Sequence, residues 1–225
     1  MDIVIVAAKR TPMGAFQGAL ANLTAPEHGA CAIAAAMAQA GLKGEQIDEA
    51  YMGNVLSAGV GQAPARQAVL KAGLPESVPC TTVNKVCGSG MKAVMLAADS
   101  LRLGDTDIVI AGGMESMSRA PYLLDKARSG FRMGHQSVLD HMFLDGLQDA
   151  YEGQLMGHYA QLSADRAGLA RSDMDAFAIA SLTRALAASR AVLSRPSWPG
   201  LLSVTPCCSP RMSSLPRPGP TRSPI

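Results

Sequence analysis

The run Val83-Asn84-Lys85-Val86-Cys87-Gly88-Ser89-Gly90-Met91-Lys92 sets one cysteine where an extended stretch gives way to a helix. Upstream, Cys80-Thr81-Thr82-Val83 has the β-branched character of a short buried strand. Downstream, Met91, Val94, Met95, Ala98 and Leu101 recur at helical spacing and predict an apolar stripe, with Gly104 ending the helix. Cys87 therefore falls at or just before a helix N-terminus. Unpaired backbone N–H groups and the positive end of the helix dipole there favour a thiolate over a thiol. Gly88 and Gly90 strip side chains from the turn, so an acyl group and its carrier can approach the sulfur closely. This is a nucleophile site in outline. Cysteine is also among the most often buried residues, and a glycine-flanked cysteine at such a junction can equally be a packing residue.

The elements that must position this turn follow from the pattern along the chain. Ile3-Val4-Ile5-Val6-Ala7-Ala8 is almost continuously apolar, the pattern of a strand buried on both faces of a parallel sheet. Thr24 opens a helix as N-cap, with Pro26 in the first turn and Glu27 three residues on, a capping-box spacing, and Gly41 stops it. A strand is expected near Ala50-Tyr51-Met52, then a glycine-rich connection from Gly53 to Gly61, then a helix begun by Pro64 and closed by Gly73. Ile108-Val109-Ile110-Ala111 supplies a further strand after the Cys87 helix. Strands alternating with helices predict right-handed crossovers and an α/β layered sheet. The Gly53–Gly61 segment has neither the lysine of a P-loop nor a GxGxxG pattern, so it reads as a turn-rich connection rather than a nucleotide site. From Arg119 to about Met156 the periodicity weakens, an excursion from the sheet. Ser172, with Asp175 three residues later, is expected to cap a last helix whose apolar face is Met174, Phe177, Ala178, Leu182, Ala185 and Leu186.

Composition excludes several classes. A chain of 225 residues, 48% hydrophobic with no long unbroken apolar run, can bury a sizeable core and shows no membrane span. The N-terminus enters directly on Asp2-Ile3-Val4-Ile5-Val6 without a signal-peptide pattern, so a cytoplasmic protein is expected. The formal charge of +2 is unevenly spread: four of the 20 basic residues and none of the 18 acids lie after residue 193. Residues 1–193 thus carry 16 basic and 18 acidic groups, a net of −2 with no nucleic-acid footprint. Five cysteines show no CxxC pair, and His28, His135, His141 and His158 share no metal-ligand spacing, so neither a disulfide scaffold nor a metal site is expected.

Two blocks carry a wider resemblance. Asn-Lys-Val-Cys-Gly-Ser-Gly from Asn84 to Gly90, with Asp-Ile-Val-Ile-Ala-Gly-Gly-Met-Glu-Ser-Met-Ser from Asp107 to Ser118, resembles the thiolases, especially the biosynthetic acetyl-CoA acetyltransferases. Gly-Asn-Val-Leu-Ser-Ala-Gly from Gly53, Asp145–Tyr151, Leu155–Gly157 and Asp175–Ser181 are similar to the same family. Ketoacyl synthases also set a cysteine at a helix start, but the context of Cys87 argues against them.

The resemblance implies the N-terminal half of a thiolase-like layered α/β fold, a mixed sheet with helices on both faces and a loop-domain excursion. It divides the chain into a core half at 1–118, a loop domain and following helix at 119–193, and a tail at 194–225. It implies that Cys87 accepts the acyl group and that the backbone N–H groups of Cys87 and Gly88 serve the oxyanion. Leu147 and Met156 would line the thioester or pantetheine channel. Acyl-CoA enters as substrate with no separate cofactor, and full-length members form dimers or tetramers. Leu155 stands where short-chain members usually carry histidine, a departure that bears on acyl-length preference.

At about Arg190 to Ser194 the resemblance stops. Residues 194–225 hold eight of the fourteen prolines, seven serines, four arginines and no acid, a composition expected to be disordered. Family members are about twice this long, and their Asn-Glu-Ala-Phe, Gly-His-Pro and Cys-x-Gly motifs do not occur after Asp175. The reading is an acyl-CoA acyltransferase of thiolase type, truncated and without turnover alone. Two other readings stand beside it: a non-enzymatic remnant that binds an intact thiolase subunit, and a redox-sensitive thiol protein. The abrupt change in composition is what a shifted reading frame would produce. Sequencing the encoding DNA checks this, since a tail in frame with a natural stop would sink it.

Overall fold

The computed structural model describes residues 2–193. The expectation of disorder for 194–225 lies outside the described residues. The first helix, α1 (Ala25–Ala40), begins where Thr24 accepts from the Glu27 N–H and the Glu27 carboxylate accepts from the Thr24 N–H at 2.7 Å, a complete capping box. It ends at Gly41, whose φ of 67° is the left-handed conformation that glycine adopts freely. Strand β1 (Glu49–Gly53) follows, then α2 (Pro64–Lys71), β2 (Cys80–Val83), α3 (Ser89–Leu103) and β3 (Val109–Gly113).

These three strands form one parallel sheet in the order β2-β1-β3, with Ala50 opposite Cys80 on one side and Ile110 on the other. The chain moves from β1 to β2 in one direction, then crosses back past β1 to β3. If both crossovers are right-handed, reversing direction puts their helices on opposite faces. The packing agrees. Ala50 and Met52 point into a core with Ile33 of α1 and Ala65, Ala68 and Val69 of α2, while Gly53 and Gly113 meet α3 on the other face.

Beyond β3, the antiparallel pair β4 (Tyr122–Leu123) and β5 (Leu139–Asp140) forms a separate small hairpin. A single π turn over Phe143–Leu147 follows, closed by Gln148 N–H to the Phe143 carbonyl at 2.8 Å. Two helices, α4 (Met156–Arg166) and α5 (Arg171–Leu193), complete the described chain. Among the described residues, no helix is long and apolar enough to cross a membrane.

Three expectations are corrected. Residues 3–8 form no strand: Val4 and Ile5 are 69% and 81% exposed, because no described strand offers the ladder that a doubly buried strand requires. The apolar stripe of α3 does not face the sheet. Ala93 and Ala97 are buried there, while Met91 is 75% exposed and Val94 and Met95 lie outward with it. The helix sits so close to the strands that only small residues fit beneath it. Finally, Ser172 does not cap α5. The helix starts at Arg171, and the Asp173 carboxylate accepts from the Ala170 N–H at 3.0 Å, leaving Ser172 inside the first turn. The Phe177, Leu182 and Leu186 face of α5 is exposed.

Two outcomes follow from these contacts. The Thr24 backbone N–H, then its hydroxyl, hold the Glu27 carboxyl below its ordinary value of 4.5. The unfolded chain thus takes up the proton first as acid is added, so this stabilisation is present above about pH 4.5 and is lost as pH falls through the folded value. Glu27→Gln should lower stability by about 1 kcal/mol at pH 7. The deficit, read from urea midpoints, should close as pH falls below the ordinary carboxylate value and the wild-type carboxylate is itself protonated. Gly53→Ala should destabilise the chain by about 1–3 kcal/mol in the same assay. Its Cβ would lie 2.7 Å from the Ser89 carbonyl carbon and 2.8 Å from the Gly90 nitrogen, both backbone atoms that have no flexible end to move.

Candidate active site

The loops that leave the carboxyl ends of β1, β2 and β3 meet on one edge of the sheet, where open α/β sheets place their sites. The β2 exit builds the cysteine turn. Asn84 Oδ1 accepts from the Val86 N–H at 3.0 Å, and Val86 is turned to φ 47°, a left-handed conformation that a β-branched residue adopts only under constraint. Ser89, 4% exposed, supplies that constraint: its Oγ accepts from the Lys85 N–H at 2.8 Å and donates to the Val86 carbonyl at 2.6 Å. Gly88 is the N-cap of α3 and Cys87 immediately precedes it, with its side chain exposed.

Glycines let this turn reach the sheet. A Cβ on Gly113 would stand 3.3 Å from the Gly90 Cα, so the start of α3 and the end of β3 are in backbone contact. Cys87 thereby opens into a cleft of about 1020 Å³. The β1 exit contributes Asn54, Val55 and Leu56, and the β3 exit contributes Met114 to Ser118. The π turn adds Gly146 and Leu147, and the N-terminal segment Lys9–Phe16 lies along the same cleft. The chain that follows that segment is tied to the β3 exit by Gln17 N–H to Ser118 Oγ at 2.9 Å and by Ser116 Oγ donating to the Leu23 carbonyl at 2.7 Å.

The structure therefore brings Cys87 and Leu147 to one cleft. Met156 starts α4 with its side chain 46% exposed and does not line that cleft. The Gly88 N–H donates to the Lys85 carbonyl at 3.0 Å, and the Ser89 N–H donates to Val86 at 3.1 Å, so both are engaged within the turn. Neither hydrogen bond involves the Cys87 N–H.

Sequence reasoning missed the part-buried and buried polar groups in the wall of the cleft. Glu115 accepts from the Val55 N–H at 2.8 Å, the Leu56 N–H at 3.2 Å and Asn54 Nδ2 at 2.8 Å. Burial pushes its carboxyl above the ordinary value, against the lowering effect of those donors. His141, 4% exposed, accepts from the Ala58 N–H at Nε2 (3.3 Å) and meets Asp145 Oδ2 at Nδ1 (2.6 Å). An N–H aimed at Nε2 leaves that nitrogen unprotonated, so the ring proton sits on Nδ1 and donates to Asp145. The Gly53–Gly61 connection is turn-rich, as its sequence suggests, and its first residues, Gly53 to Leu56, also line the cleft. The signal available in the sequence was a carboxylate, Glu115, directly after an apolar strand end. His28 also lines the cleft, and burial lowers its basicity. Among the described residues, no cluster of three or more metal-ligating side chains occurs.

Comparison with known proteins identifies the family of the chain. Residues 3–194 match the family model described as thiolase, N-terminal domain. An acetyl-CoA acetyltransferase of Pseudomonas aeruginosa is 53% identical over 187 residues, covering 83% of this chain and 48% of that protein. One from Cupriavidus necator is 53% identical over 190 residues, 84% of this chain and 48% of that protein. The acetyl-CoA acetyltransferase named mitochondrial from Homo sapiens is 50% identical over 187 residues, 83% of this chain and 43% of that protein. The chain spans about half the length of these curated relatives. With a family model matched across most of its length, the chain belongs to the thiolase family through that family's N-terminal domain.

Proposed function

We propose that this chain supplies the acyl-accepting half of a thiolase-type acyltransferase, with acyl-CoA as substrate and acetyl-CoA foremost. The observation that carries the reading is Cys87, exposed at the start of α3 and opening into the cleft that Leu147 also lines. In this step the Cys87 thiolate attacks the thioester carbonyl, the carbon–sulfur bond to CoA breaks, and CoA leaves as thiolate and takes up a proton. The oxyanion forms next to the backbone of the turn. The Cys87 N–H is the donor we assign to it, because the Gly88 N–H is engaged with the Lys85 carbonyl. Leu147 packs against the acyl or pantetheine portion. Met156 serves the same channel only if α4 shifts toward the cleft.

Condensation of two acetyl-CoA molecules, or thiolysis in reverse, needs more. An enolate must be generated beside the acyl-cysteine by a positioned base. The cleft side chains that could titrate include His28 and Glu115, one made less basic by burial and the other occupied by three donors. We infer that the isolated chain stops at acyl-Cys87 and that turnover and oligomer assembly belong to the longer family protein.

The test is direct. Incubating the pure chain with acetyl-CoA and mapping the modified peptide should place one acetyl group on Cys87, and Cys87→Ser should lose it as a thioester. Acetoacetyl-CoA plus CoA should give no thiolysis above the Cys87→Ala background, and measurable turnover would refute the half-reaction reading. The exposure of Cys87 also favours a second reading, a redox-sensitive thiol. Rapid peroxide oxidation of Cys87 with no acylation would select it.

A further inference from the structure

Two part-buried polar bridges converge on the same short loop, outside the hydrogen-bond ladder of the sheet. The first runs from Glu115, just past the end of β3, to the N–H groups of Val55 and Leu56 and the amide of Asn54. Asn54 is itself 2% exposed and also donates to the Met114 carbonyl at 3.2 Å. The second runs from the π turn: Asp145 holds His141 by Nδ1, and His141 Nε2 receives the Ala58 N–H. Between the two bridges, a Cβ on Gly146 would stand 3.4 Å from Leu56 Cδ2, so the loop and the π turn are already in apolar contact. Leu147 is the next residue in that turn, and Leu56 lines the Cys87 cleft with it.

We infer that Glu115 and His141 are positioning residues. Acting on Val55, Leu56 and Ala58 from opposite sides, they lock the 54–58 loop against the π turn and so fix where Leu56 and Leu147 stand relative to Cys87. This rests on the reading of Cys87 as acyl acceptor. Its physical basis is that a loop held by ordinary turn bonds alone would sample several positions. A carboxylate with three donors and an imidazole locked in one tautomer leave it one. The acyl group then meets the sulfur in a single geometry, and small misplacement there is expensive in rate.

The experiment uses the full chain and four proteins: wild type, Glu115→Gln, Asp145→Ala and Asp145→Asn. Glu115→Gln keeps the size but turns an amide donor toward one of three donors. Asp145 is half exposed, so its variants carry little folding risk and act on His141 from outside. Amide hydrogen exchange is read at Val55, Leu56 and Ala58, with Val69 in α2 as the core reference. Exchange at the loop amides should rise about tenfold in Glu115→Gln and in Asp145→Ala while the core reference is unchanged. Asp145→Asn should restore wild-type protection at Ala58, since its carbonyl still accepts the Nδ1–H. In parallel, the limiting rate of Cys87 acetylation should fall about tenfold with little change in half-saturating acetyl-CoA. Alkylation of Cys87 by iodoacetamide, which needs no acyl placement, should stay within about twofold.

Unchanged exchange at residues 55–58 in both Glu115→Gln and Asp145→Ala overturns the proposal. Exchange rising equally in the core assigns the groups to stability alone and overturns it as well. If Glu115→Gln does not fold, Asp145→Ala against Asp145→Asn decides the case, and an Asn variant behaving like the Ala variant overturns it. Failure of wild type to acylate sinks the acyl-acceptor reading, yet leaves the loop-locking result readable in the exchange data.

Discussion

The backbone of the first turn of α3 lies against the backbone ends of β1 and β3, and the candidate site depends on that contact. Gly53, Gly90 and Gly113 meet there, with the Gly113 position 3.3 Å from the Gly90 Cα once a Cβ is imagined. Close approach puts the start of the helix directly over the carboxyl edge of the sheet, so the residue before its cap projects into the cleft rather than over the flank. It also dictates the rest of α3. A helix pressed this near to strands can present only Ser89, Ala93 and Ala97 inward, and its larger apolar residues must turn away.

That geometry leaves the chain unequally finished on its two sides. The β1 face that carries Ala50 and Met52 is sealed by α1 and α2 in one continuous core. On the other side α3 covers the strands, but nothing described covers α3, and Met91, Val94 and Met95 stand in the open. The N-terminal Ile3–Val6 run and the Phe177 face of α5 are in the same condition. Exposed apolar surface on this scale is unusual for a self-sufficient monomer.

Local signals suffice where local physics decides. The capping box at Thr24 and Glu27, the Gly41 and Gly104 stops, and the strands around Ala50, Cys80 and Val109 all follow from residue type within a few positions. The cysteine turn belongs to this group, since Cys87, Gly88 and Gly90 announce a stripped helix start by themselves. What sequence periodicity could not tell was which side of a helix meets the sheet. The α3 stripe looked like a core face because large apolar residues usually are one, whereas glycines on the strands selected the alanine face instead. Residues 3–8 show the complementary case: their pattern suits a buried strand, but burial is a property of neighbours. The Glu115 and His141 bridges span 59 or more positions along the chain, and no single-sequence pattern reports such a separation.

Val86 holds a left-handed φ of 47°, a posture that disfavours its own side chain by about 1–3 kcal/mol. Against the 5–15 kcal/mol or so by which a domain of this kind usually outcompetes its unfolded ensemble, that is a noticeable share. The position is therefore a frustrated one, where the hydrogen bonds of Ser89 hold the turn against the backbone's own preference. A glycine would be the more comfortable residue for the backbone, yet it would widen the range of poses open to the neighbouring sulfur. A branched residue narrows that range, trading thermodynamic comfort for a more narrowly fixed thiol position.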